Sequence, residues 1–112
     1  MVVDFSIMPV GKGESLSGHV AEAIKLVVES GLPVNVGPMA TTVEGEWDEV
    51  MDLIKNCRNK LLETVDRVYL VIKVDDRKGH KGCITGKIES IEEKLGRSLR
   101  LKEREEPERL IL

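Results

Sequence analysis

Two nine-residue stretches, VVDFSIMPV at 2–10 and RVYLVIKVD at 67–75, alternate along their length with the period of a β-strand, so any fold of this chain has to place both in a sheet. In the first, Val3, Phe5 and Ile7 share one side, with Asp4, Ser6 and Met8 on the other. In the second, Val68, Leu70, Ile72 and Val74 alternate with Tyr69, Val71, Lys73 and Asp75. The intervening chain changes period. Leu16, Val20, Ala23, Ile24, Val27 and Val28 recur at three- and four-residue spacing, which predicts a helix capped by Ser15 and ended by Gly31. LPVNVGPMATTVEGE then reads as two short antiparallel strands joined near Gly37 to Ala40. Pro38 belongs at the turn, because it cannot donate a ladder hydrogen bond.

A second helix is expected after Gly45, with Trp47, Val50, Met51, Ile54, Cys57 and Leu61 on one side. Glu46, Asp48 and Glu49 fall in its first turn, where negative charge suits the helix dipole. A third helix puts Ile84, Ile88, Ile91 and Leu95 on one stripe and stops at Gly96. The order is βαββαβ plus a C-terminal helix. It predicts an α+β, ferredoxin-like domain over residues 1–97, an antiparallel sheet with helices on one face. Residues 98–112 form a charged tail ending in Leu110-Ile111-Leu112, which is expected to dock on a neighbouring subunit. The sheet face away from the helices would carry Asp4, Ser6, Met8, Asn35, Thr42, Glu44, Tyr69, Val71, Lys73 and Asp75. A mixed surface of that kind usually meets a subunit or a ligand.

Composition narrows the function classes. Net charge is -3, from 17 basic and 20 acidic residues. That balance argues against a nucleic-acid partner, as does an aromatic content of only Phe5, Trp47 and Tyr69. The N-terminus lacks the basic and apolar regions of a signal peptide, and no apolar run is long enough to span a membrane. Cys57 and Cys83 match no disulfide framework, so a cytoplasmic location with reduced thiols is expected. His19, His80 and the two cysteines lack the paired spacing of a zinc site. Asp75 and Asp76 point to opposite sides of a strand and cannot both grip one ion there. Neither a nucleophile–base constellation nor a phosphate-cradling glycine loop is present, and a binding protein without cofactor or catalysis is expected rather than an enzyme.

Three blocks carry a family likeness. The first is Ile7-Met8-Pro9 with Gly11, running on to Ser15-Leu16-Ser17 and Val20. The second is Gly37-Pro38-Met39 with Thr41, Thr42, Glu44 and Gly45. The third is Arg67-Val68, followed by Lys73 and Asp75-Asp76-Arg77. In that order they resemble the thiamine-binding protein family, small ferredoxin-like domains related to the YkoF thiamine-binding proteins. The resemblance implies homo-oligomers, commonly tetramers built as dimers of dimers. It also implies binding of thiamine or its hydroxymethylpyrimidine portion. The chain departs from the pattern at Val34 and Asn35, where relatives often have an aromatic and an acidic residue.

An aminopyrimidine joined to a thiazolium asks for a flat apolar contact, mixed donors and acceptors at the ring edge, and negative charge near the cation. Ser15, Ser17, Asn35, Thr41 and Thr42 supply donors and acceptors, Met39 a polarizable surface, and Glu44 the charge. Each has a plainer reading beside this one. Ser15 and Ser17 also suit a helix cap, Thr41 and Thr42 are ordinary strand residues, and Glu44 also suits the start of a helix. A protein whose mixed sheet face serves only to assemble subunits is the alternative from a different class.

Overall fold

In the computed structural model, which describes residues 1–11, 17–79 and 83–96, the two long alternating stretches pair with each other over their whole length. In chain order the elements are β1 (Val2–Val10), α1 (Ser17–Glu29), β2 (Val34–Val36), β3 (Thr41–Glu44), α2 (Trp47–Leu62), β4 (Arg67–Asp75) and α3 (Cys83–Leu95). The sheet order is β2-β3-β1-β4, with every neighbouring pair antiparallel. The architecture is α+β, as the pattern of periods predicts.

Directly paired residues in an antiparallel ladder share a face, so the register sorts the sheet into two sides. Val3 stands opposite Val43 and Val74, and Phe5 opposite Thr41 and Ile72. This side meets the helices. Val3, Phe5 and Val43 are buried with Ala23 and Val27 of α1, with Val50, Leu53, Ile54, Cys57 and Leu61 of α2, and with Val65 just after it. Helix α2 starts where expected: the Glu46 N–H donates to Glu49 Oε1 at 3.0 Å, and Asp48 and Glu49 fill the first turn. Gly31 ends α1 in the left-handed region at φ 78°, which costs glycine nothing.

Several apolar positions fall short of their predicted burial. Ile72 and Val74 are 38% and 40% exposed, although they share the core side with half-buried Val68 and Leu70. Helix α2 contacts β4, and burial along that side of the strand falls from Val68 and Leu70 to Ile72 and Val74. Trp47 is 54% exposed, because it opens α2 one turn ahead of Val50, the first position that reaches the core. Val28, Ile91 and Leu95 are also exposed. Helix α3 meets the sheet at β3. The tail 98–112 lies outside the described residues.

Cys57 is fully buried, and its Sγ donates to the Ala23 carbonyl at 3.4 Å. That fits a structural thiol. Burial strips the thiolate of its hydration and pushes the pKa from 9.0 up to about 11. A thiol raised in the folded state binds its proton more tightly there than in the unfolded chain. Its contribution is therefore fully present below about pH 9 and is lost as pH rises through about 11. A Cys57→Ala variant is expected to lose less stability than the parent across this window, by at most about 2–3 kcal/mol. Urea midpoints at closely spaced pH values measure the difference, and parallel profiles would refute it.

Candidate functional site

The face away from α1 and α2 holds the polar residues, and the strand register arranges them in a row. Asn35 on β2 stands opposite Thr42 on β3, Thr42 opposite Asp4 on β1, and Asp4 opposite Lys73 on β4. One side chain from each strand thus spans about 15 Å, three inter-strand spacings of ~4.8 Å. The Thr42 hydroxyl donates to Asp4 Oδ1 at 3.2 Å, which fixes two neighbours in the row. Glu44 is the next residue of β3 on the same side, and it pairs across to Val2, which in turn faces Asp75. Glu44 is buried, an uncommon setting for a carboxylate.

Of the predicted site residues, this face brings together Asn35, Thr42 and Glu44. Thr41 is a neighbour of Thr42 on the same strand, so it points to the opposite side, where it is buried opposite Phe5. Met39 sits in the turn between β2 and β3 and is 87% exposed. That turn closes through a Gly37 N–H donated to the Ala40 carbonyl at 2.9 Å. A Cβ on Gly37 would stand 2.9 Å from the same oxygen. Ser15 and the side chain of Ser17 lie outside the described residues, as do His80 and the side chain of Cys83. His19 Nδ1 on α1 and the Thr64 hydroxyl just after α2 are 3.1 Å apart.

Two members of the row, Asp4 and Lys73, were not among the predicted site residues. Their alternation places both on the outward side, but only the pairing of β1 with both β3 and β4 puts them beside Thr42.

A row of amide, hydroxyl, carboxylate and ammonium can both donate and accept along a heterocycle's edge, and Asp4 and Glu44 supply negative charge for a cation. Among the described residues no group of three His, Cys, Asp or Glu could hold a metal ion, and no helix is long and apolar enough to cross a membrane. A cleft of about 240 Å³ opens at Glu44, lined also by Met1, Leu32, Pro33 and Glu49. Ligand pockets are usually about 300–1,000 Å³, so this cleft is small for a drug-sized molecule.

The chain is similar to known proteins in sequence and in fold. A UPF0045 protein of Methanocaldococcus jannaschii is 37% identical over 83% of this chain and 93% of its own length. Its crystal structure superposes with a TM-score of 0.74, covering 82% of this chain and 95% of that one. A UPF0045 protein of Mycobacterium bovis is 39% identical over 82% of this chain and 91% of its own length. A Thermotoga maritima structure, provisionally named for thiamine biosynthesis or salvage, matches with a TM-score of 0.71 and 29% identity, over 80% of this chain and 96% of that one. Residues 3–92 match the sequence signature of the family described as thiamine-binding protein. The chain belongs to the thiamine-binding protein family, alongside the UPF0045 proteins.

Proposed function

We propose that this protein binds thiamine or its hydroxymethylpyrimidine portion without catalysing a reaction on it, as a cytoplasmic homo-oligomer with a ferredoxin-like fold. The observation that carries the reading is the row Asn35–Thr42–Asp4–Lys73 with Glu44 at its side. Family membership and the name of the Thermotoga maritima neighbour support the ligand class. The strand order β2-β3-β1-β4 supports the ferredoxin-like assignment. In this reading Asn35 and Thr42 hydrogen-bond the aminopyrimidine edge, and Asp4 and Glu44 face the thiazolium.

Isothermal titration with thiamine and, separately, hydroxymethylpyrimidine tests this directly. The parent is expected to bind one of them with micromolar affinity, and an Asn35→Ala/Glu44→Ala variant to lose at least tenfold. Absence of heat with either compound, from folded protein, would overturn the ligand class. A second reading, assembly alone, is favoured by the exposure of Met8, Tyr69 and Val71 on the same face. It predicts a melting temperature that follows protein concentration and ignores ligand, whereas a binding protein gains stability with ligand by mass action.

A further inference from the structure

We propose that residues 105–112 of this chain lie along the open flank of β4 on the helix side of the sheet. Glu105 and Glu106 then stand at Arg67 and Arg58, and Leu110 and Leu112 cover Ile72 and Val74. The surface is separate from the polar row, which lies on the other face.

The flank is an apolar strip left half covered. Val68, Leu70, Ile72 and Val74 follow one another on the core side of β4, an edge strand. At ~3.3 Å per residue they extend over about 20 Å. Val68 and Leu70 are half-buried, whereas Ile72 and Val74 are exposed. At the Val68 end a cleft of about 290 Å³ opens between the strand and α2, lined by Leu62, Val68 and Leu70. Arg58, Arg67 and Asp66 complete its lining. Arg58 Nη1 donates to Asn59 Oδ1 at 2.8 Å, and neither guanidinium has a carboxylate partner among the described residues. Lys55 is exposed one turn before Arg58 on the same side of α2. The strip is therefore bordered by three cations and one carboxylate.

The tail carries the complement. Residues 103–109 hold Glu103, Glu105, Glu106 and Glu108 against Arg104 and Arg109, and Leu110-Ile111-Leu112 follow. All of them lie beyond residues 3–92, the stretch that matches the family. Pro107 breaks a helix through this segment and favours extended backbone at Glu106. Laid extended, residues 105–112 span about 23 Å, the length of the strip, and period two turns Leu110 and Leu112 to one side. With Glu105 beside Arg67, Leu110 comes level with Ile72 and Leu112 with Val74.

Reach and tethering select the same chain as the host. The nine residues from Gly96 to Glu105 can span about 30 Å. Helix α3 meets the sheet at β3, two strand spacings or about 10 Å from β4. A segment tethered this closely has an effective concentration on the order of millimolar, which the tail of a second copy does not match in micromolar protein.

Disulfide trapping in the full chain tests the placement, with Cys83→Ser leaving buried Cys57 as the other thiol. Under mild oxidation Ile72→Cys/Leu110→Cys is expected to cross-link within one chain, because a disulfide needs Cα atoms within about 7 Å. Val71→Cys/Leu110→Cys, whose first cysteine points to the opposite face, is expected to give at most about a fifth of that yield. Adding Glu105→Arg/Glu106→Arg changes only the tail and is expected to lower the yield about fivefold, the worth of two surface ion pairs. Arg58→Glu/Arg67→Glu on top of it restores the yield. Equal yields from positions 71 and 72, cross-links chiefly between chains, or none at 72 would overturn the proposal. So would a yield indifferent to the tail charges, or one that the second reversal does not restore.

Discussion

Replacing Phe5 by alanine is expected to destabilise the protein by about 3–5 kcal/mol, the range for removing a buried aromatic ring. Among the described residues Phe5 is the largest fully buried side chain, and it sits in the middle of β1, one of the two strands that pair on both sides. Its neighbours in the ladder, Thr41 and Ile72, cannot fill the space: Thr41 is short and polar, and Ile72 is partly turned to solvent. Small domains have about 5–15 kcal/mol in total, so the variant stays folded only marginally. With a urea slope of ~1.5 kcal/mol/M the midpoint moves down by about 2–3 M at unchanged slope. A shift below about 0.7 M, equivalent to ~1 kcal/mol at that slope, would mean that the ring is not packed as described.

The larger effect is expected from Val43→Asp, which should leave no cooperatively folded protein at pH 7. Val43 is fully buried on β3 between Val3 and Val34. A carboxylate there has no described partner to replace its hydration, and an unpaired buried charge is penalised by several kcal/mol. Val43→Ala keeps the surroundings apolar and is expected to fold with a lowered midpoint. Circular dichroism melts of the two variants separate loss of volume from burial of charge. A Val43→Asp protein melting within a few degrees of the parent would place that side chain in solvent. It would also reverse the assignment of sheet faces, and with it the row of polar residues.

The parts of this fold that a reader could take from the sequence are those in which a local period decides the outcome. Alternation in 2–10 and 67–75 marks both long strands and their outward residues correctly, and helical spacing finds Cys57 and Leu61 in the core. Burial also depends on where neighbouring elements stop. Ile72 and Val74 obey the alternation and are still exposed, because no spacing within β4 records the reach of α1 and α2. Trp47 fails for the same reason at the start of α2. At the site, Asn35, Thr42 and Glu44 share a face by simple alternation, and that alternation also separates Thr41 from Thr42. Asp4 and Lys73 join them only through strand register, which links residues 38 and 31 positions from Thr42 and cannot be read from either segment alone.

Of the two inner strands of the sheet, β1 is made before any of its partners. Strand β1 finds one partner at 41–44 and the other at 67–75, so on the ribosome it waits until residues 67–75 have emerged before its second side is covered. Until then its unsatisfied N–H and C=O groups can recruit any extended segment nearby. Sheet closure of this kind is a late, long-range event that slows folding. Nascent chains stalled before residue 67 should therefore be held by chaperones, and those released past residue 75 should fold in one step.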